Sequence, residues 1–264
     1  MKLSVITVNY NNLGGLKDTA ASIAGQTFRD FEWIIIDGGS KDGSTDYIKT
    51  LERKPDYCVS EADKGVYDAM NKGLMHANGE YVWFMNSGDC FHEKTTLEQV
   101  MDNHPEADIV YGDWINVYKD REEKVEAPRS INPYTLYHMN INHQAMMIRT
   151  CLLKESPYDL KYRLYSDWAK WREMYHKGAT FQYVPVTTCN YEAQSGMSST
   201  DRKGWRREKY MMMEEAPEGA RQLINTILKL EDKNAKHVRM MQMFMYISTL
   251  LLLILTITVV CISL

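Results

Sequence analysis

The chain lacks any Cys-x-x-Cys pair, and its five cysteines (Cys58, Cys90, Cys151, Cys189 and Cys261) are scattered and odd in number. That excludes a disulfide framework and a structural zinc site, and it suits a reducing compartment. The seven histidines include no His-x-x-x-His spacing, so a zinc site of that helical type is excluded as well. Neither Gly-x-Gly-x-x-Gly nor Gly-Lys-Ser/Thr occurs, which removes the dinucleotide fingerprint and the P-loop. There is no basic excess: the formal net charge of −4 speaks against a nucleic-acid partner, whose phosphates demand a basic surface. Proline and glycine, 7 and 15 in 264 residues, are too few for a low-complexity chain, and no internal repeat is found. The length accommodates one fair-sized domain and an appendage.

Charge is missing altogether from 240–264, where Leu250–Leu255 is nearly pure Leu and Ile. A bilayer core takes roughly 20 apolar helical residues, so this stretch is expected to be a single membrane span rather than a core helix, which would carry a polar face. Lys233, Lys236, His237 and Arg239 stand just before it. By the positive-inside tendency, the preceding domain is expected on the cytoplasmic side of a cell membrane. Met1–Val8 runs directly into a strand-like segment with no cleavage site, so no signal peptide is expected there.

What is present is a strand–helix alternation. Leu3–Val8, Phe31–Asp37, Tyr57–Ser60 and Tyr81–Met85 read as strands, and the unbroken apolar run Trp33–Ile36 marks a parallel strand covered on both faces. Val66, Ala69, Met70, Gly73, Leu74 and Ala77 recur at helical spacing, with Lys64, Asp68, Asn71 and Lys72 opposite, and Asn78-Gly79 supplies a stop. The first half is therefore expected to be a doubly wound α/β sheet. Further on, Ala107–Tyr118 and Lys124–Ala127 suggest a hairpin. Asn142–Arg149 reads as a strand, about Asp167–His176 as a helix, and Thr180–Glu192 as a long strand interrupted by Pro185. The basic, Met-rich segment Trp205–Met213 fits either an interfacial helix or one packed on the domain. An amphipathic helix is expected after Pro217.

In such sheets ligands bind at the carboxyl ends of the strands. Here those ends read Asn9–Asn12, Asp37–Thr45, Ser60–Gly65 and Asn86–Asp89. Each alone is a common turn sequence, but four in succession place carboxylates and amides along one rim. A rim of carboxylates repels bare phosphate, so a nucleoside diphosphate fits it only with a bridging Mg²⁺ or Mn²⁺. The same ion would stabilise a departing diphosphate. Asp89 is the candidate ligand by position. Asp167 opens a helix, where an Asp also serves the helix dipole for a few tenths to about 1 kcal/mol.

The stretch from Ser4 to about Ser199 resembles the family 2 glycosyltransferases with the GT-A fold, and looks closest to bacterial enzymes of O-antigen and capsular polysaccharide synthesis. The matching pieces are Ser4–Asn12, Gln26–Phe28 with Phe31-Glu32, Asp37–Thr45, Ser60–Gly73 and Gly79–Tyr81. The resemblance implies a nucleotide-sugar donor, with UDP the usual carrier, and roles residue by residue. Val8, Asn9, Tyr10, Asp37, Gly38 and Asp63 would hold the nucleotide's base and ribose, and Asn86 and Ser87, in the metal-motif segment, would also bind the nucleotide. Asp89 would bind metal and Asp167 would be the catalytic base of an inverting displacement. His143, Gln144, Gly196 and Ser198 would lie towards acceptor and diphosphate. Where the family has Asp-Asp this chain has Asp37-Gly38. Asp-x-Asp-Asp is Asn86-Ser87-Gly88-Asp89, and the Glu before the base is Ser166. The expected plan is a catalytic domain over 1–204, a helical linker over 205–239 and a membrane span over 240–264, with a lipid-linked glycan as acceptor. A polyprenyl-phosphate sugar synthase and a non-catalytic nucleotide-sugar-binding membrane protein are the alternatives. A membrane-anchored Rossmann oxidoreductase is disfavoured by the missing glycine fingerprint.

Overall fold

The computed structural model describes residues 2–138, 141–194, 196 and 200–214, with scattered residues between 222 and 243. The chain divides into two compact units, Met1–Met212 and Met213–Leu264. In the second, the described residues beyond Glu214 are helical and exposed. Among the described residues no helix is long and apolar enough to cross a membrane. The span expected at 240–264 lies outside the described residues, apart from Met240, Met241 and Met243.

The first unit is organised on a nine-stranded mixed sheet. Strands β1 (Leu3–Asn9), β2 (Phe31–Asp37), β3 (Tyr57–Ser60) and β4 (Tyr81–Phe84) run parallel in the order β3-β2-β1-β4. Every residue of β1, β2 and β4 is buried, which explains their unbroken apolar runs. The register sets Asn9 beside Asp37 and Asp37 beside Ser60, so three polar strand ends finish side by side. Helix α1 (Leu13–Ala24) starts at Asn12, whose side chain accepts from Gly15 N. The next helix, α2 (Ser44–Thr50), precedes β3, and α3 (Val66–His76) lies against β1 and β2. At the far end of β1 and β2, buried Glu32 accepts from Ser4 Oγ (2.6 Å) and from the Asn78 and Gly79 N–H groups. Burial alone would raise its pKa, but these bonds hold the carboxyl below the usual range.

Beyond β4 the sheet turns mixed. Strand β5 (Cys90–Phe91) and helix α4 (Thr96–Asp102) lead to β6 (Ile109–Val117), which pairs with β7 (Glu122–Val125) as the expected hairpin. Helix α5 (Pro133–His138) follows. Two expectations need correction here. The strand foreseen at Asn142–Arg149 is shorter: His143–Ala145 forms a 3-10 turn and only β8 (Met146–Arg149) joins the sheet, antiparallel to β4 and β6. The apolar run carries no mark of that change. After α6 (Thr150–Glu155) and α7 (Ser166–His176), strand β9 (Phe181–Glu192) runs through Pro185 without ending. Its register against β6 slips between Tyr111 and Asp113, so the strand bulges past the residue that cannot donate. Gly112 permits this, because a Cβ there would stand 2.4 Å from Val186 O.

Helix α8 (Arg202–Glu214) crosses the boundary expected at 204/205. Its Glu208 is buried and accepts from the Arg163 and Leu164 N–H groups (3.1 and 2.7 Å), while Trp205 meets Tyr165 edge-on with ring centroids 5.3 Å apart. Residues 205–212 are thus packed as part of the first unit.

Candidate active site

The rim is organised around Asp37, which is fully buried. It accepts from Asn9 Nδ2 (2.7 Å), Ser40 N and Oγ (2.9 and 2.6 Å) and Ser60 Oγ (2.5 Å). Burial pushes its pKa up, but the Ser40, Ser60 and Asn9 bonds outweigh this and keep it ionised. Its oxygens are therefore occupied within the protein, and the surface left for a ligand comes from its neighbours. Tyr10 is 66% exposed. At Gly38 a Cβ would lie 2.4 Å from Asp63 Oδ2 and 3.1 Å from the Tyr10 ring. The Asp63 carboxylate occupies the room a side chain at 38 would take. Val8 is buried, and its carbonyl accepts from Ser87 N (3.0 Å).

Ser87 Oγ donates to Asn9 Oδ1 (2.7 Å), linking this shelf to a cavity of about 210 Å³. Asn86, Ser87, Asp89, His143, Gln144, Asp167 and Gly196 all line that cavity; Val8, Tyr10, Asp37, Gly38 and Asp63 lie outside its lining. Ser198 lies outside the described residues. Asp89 and Asp167, which are 78 positions apart, therefore share one space. Tyr67, Arg163, Trp168, Tyr191, Glu192 and Trp205 also line it and were not singled out for this role from the sequence. Tyr67 stands within the Ser60–Gly73 run, a signal that could have been followed; nothing in the sequence marks Glu192 or Arg163.

Asp167 heads α7. Its Oδ1 accepts from Tyr67 OH (2.8 Å) and Trp168 N (2.7 Å), and its Oδ2 is 2.8 Å from His143 Nδ1. His143 Nε2 is 2.8 Å from Asn86 Nδ2. An amide nitrogen can only donate, so Nε2 accepts, and the ring proton sits on Nδ1, facing Asp167. Tyr67 is buried, and burial first, then the Asp167 charge, pushes its pKa well above normal, so the phenol stays a donor. Among the described contacts Oδ1 is saturated and Oδ2 keeps one lone pair.

Asp89 is 5% exposed. Its Oδ2 accepts from Gln144 Nε2 (2.6 Å) and its Oδ1 from Glu192 N (3.0 Å), and burial pushes its pKa up to about 6 despite both bonds. It ties the loop after β4 to the 3-10 turn and to the end of β9. Among the described residues no three His, Cys, Asp or Glu side chains form a metal-binding group. The lining nevertheless carries three carboxylates, Asp89, Asp167 and Glu192, against one permanent cation, Arg163. One carboxylate together with phosphate oxygens and water is a fitting donor set for Mg²⁺ or Mn²⁺, which rarely use all-protein cages.

A parallel half-sheet bearing the polar rim, continued by a mixed half that closes the cavity, is the GT-A class of glycosyltransferase fold. The solved structures agree. Residues 1–349 of S. aureus TarS in complex with UDP superpose with a TM-score of 0.64 at 20% identity, covering 85% of this chain and 69% of that one. The mannosyltransferase PcManGT from Pyrobaculum calidifontis, in complex with GDP-Man and Mn²⁺, gives 0.64 at 15% identity over 85% and 68%. The chain belongs to glycosyl transferase family 2, whose family model matches residues 4–159. A PGL/p-HBAD biosynthesis glycosyltransferase of Mycobacterium bovis (strain BCG / Pasteur 1173P2) is 32% identical over 205 residues, 75% of this chain and 79% of that protein. It is an enzyme of glycosyl transfer.

Proposed function

We propose that the protein transfers a sugar from a nucleotide-sugar donor, a UDP-sugar first, to a hydroxyl group of a lipid-linked glycan in cell-surface polysaccharide synthesis. The anomeric centre inverts. The observation that carries this reading is the placement of Asp167 on the cavity, with three donors fixing its carboxylate and one lone pair of Oδ2 left for an acceptor hydroxyl. The hydroxyl proton moves to that oxygen as the acceptor oxygen bonds to the anomeric carbon and the bond to the diphosphate breaks. Tyr10, Asp63 and Ser87 form the nucleoside side of the site. A divalent cation, when bound, would neutralise charge on the departing diphosphate. The bound UDP of TarS and the bound GDP-Man of PcManGT support a nucleotide-sugar donor.

The decisive experiment is a transfer assay with Asp167→Asn. A lost general base costs about 10²–10⁴-fold in kcat, while donor affinity should stay within about threefold because Asp167 is not on the nucleoside shelf. Activity within about tenfold of the parent would remove Asp167 as the base. It would favour an acceptor that is already an anion, such as a polyprenyl phosphate.

The charge-free segment 240–264 is proposed to hold the enzyme on a membrane, with the first unit on the cytoplasmic side. Enzyme and lipid-linked acceptor are then confined to one surface.

A further inference from the structure

Resting on the reading of the cavity as a nucleotide-sugar site, we propose that Glu192, at the end of β9, is the protein carboxylate that ligates the donor's divalent cation. Asp89 is the strut that places it.

Three observations lead here. First, Asp89 is poorly suited to the ligand's task. A hard cation needs an accessible carboxylate oxygen; Asp89 is only 5% exposed and is held by Gln144 and by the Glu192 N–H, whereas Glu192 is part-exposed on the cavity. Second, the loop after β4 has no other carboxylate to offer. The residue before Asp89 is Gly88, at φ +106, a conformation that favours glycine. A Cβ built on Gly88 would lie 3.8 Å from the Cβ of Glu192. The Glu192 side chain therefore leaves its backbone beside the place where a side chain of residue 88 would begin. Third, Glu192 lines the same cavity as Asn86, Ser87 and Asp167. Its own N–H donates to Asp89 Oδ1, which fixes the residue's position, while its Oε1 accepts from Gln194 N (3.0 Å).

A second place on the rim pairs a glycine with an acidic side chain from another element. A Cβ at Gly38 would stand 2.4 Å from Asp63 Oδ2, which approaches from the loop after β3, while a Cβ at Gly88 would make an ordinary 3.8 Å contact with Glu192. For Glu192 the supplying element is β9, which reaches the site because the strand bulges past Pro185 instead of stopping there.

Binding of Mn²⁺ by the full chain, followed by the paramagnetic resonance of the free ion with and without UDP or GDP, tests this without any turnover. In the parent protein the nucleotide is expected to draw Mn²⁺ into the bound state. Glu192→Gln should weaken Mn²⁺ binding in the presence of nucleotide by at least about tenfold, with Tm unchanged and metal-free nucleotide binding intact. Asp89→Asn keeps an oxygen for the Glu192 N–H but sets an amide nitrogen against Gln144 Nε2, so it should lower Tm yet keep Mn²⁺ affinity within about threefold when measured below its transition. The assignment is overturned if Glu192→Gln binds Mn²⁺ as the parent does, or if Asp89→Asn loses the ion with Tm unchanged. Nucleotide binding by the parent that is indifferent to Mn²⁺ also overturns it, but leaves the donor-site reading standing. Failure to bind either nucleotide removes both.

Discussion

Tyr67 reaches Asp167 across 100 positions of sequence, and burial keeps its phenol protonated, so one donor is always presented to the carboxylate. It lines the cavity, which Tyr10 and Asp63 do not, and it is a positioning residue for Asp167. A hydrogen bond to a charged group is worth about 1.5–3 kcal/mol. If that bond fixes the Asp167 oxygen that takes the proton, Tyr67→Phe should reduce kcat roughly tenfold to a hundredfold and leave the donor KM near the parent value. A purely structural role would instead lower Tm and leave kcat of the folded enzyme unchanged, and steady-state kinetics beside a melting curve separates the two. Single residues were the least legible scale. Asp37, expected on the nucleotide side, is also the buried hub that holds Asn9, Ser40 and Ser60 together, which its turn-like sequence did not announce. At Gly38 and Gly88, where the family pattern has Asp, only coordinates reveal the Asp63 carboxylate and the Glu192 Cβ alongside.

Elements were read far better where burial dictated their composition. Phe31–Asp37 appears at the expected bounds, because a strand closed on both faces leaves an apolar run that stops where the polar rim starts; Tyr57–Ser60, the part-exposed edge strand, does so too. Met146–Ile148 offered the same run but no sign that His143–Ala145 would tighten into a 3-10 turn, since that turn is set by contacts from Asn86 and Asp89, far away in sequence. The spacing of α3 placed Gly73 on its buried face, and the packing supplies the reason. A Cβ there would stand 2.6 Å from Ile6 Cγ2 and 3.2 Å from Ile36 Cγ1. Two effects oppose each other in Gly73→Ala. Helix propensity favours alanine by about 1 kcal/mol, whereas overpacking costs about 1–3 kcal/mol. Because Ile6 lies on the central strand β1 and is fully buried, it has little room to yield, and overpacking should win. The expected outcome is a net loss of up to about 2 kcal/mol in denaturant unfolding; a stabilised variant would mean that α3 can lift from the sheet.

For the whole molecule, the question is what the charge-free tail does for an enzyme whose described site residues run from Val8 to Trp205. From 240 to 264 no charged residue occurs, while Lys233, Lys236 and Arg239 precede it. Such a stretch is costly to leave in water and long enough for a bilayer core. Basic residues on one flank would hold the domain at the anionic face. If the acceptor is lipid-linked, tethering turns a search in three dimensions into one along a surface, a gain that needs no further contact in the active site. The full chain, expressed in a bacterium, should stay with the membrane pellet after an alkaline carbonate wash. Leu252→Arg combined with Leu255→Arg should release it, because each arginine at the centre of a span costs about 2.5–3.5 kcal/mol. The released double variant should still turn over a water-soluble acceptor, since both positions are outside the first unit, but lose most of its rate on a lipid-linked one in vesicles. Parent protein that washes off with carbonate would show that the tail is not a span, and the rate advantage on vesicles would have to be sought on the surface of the first unit, where Arg206 and Arg207 of α8 stand exposed.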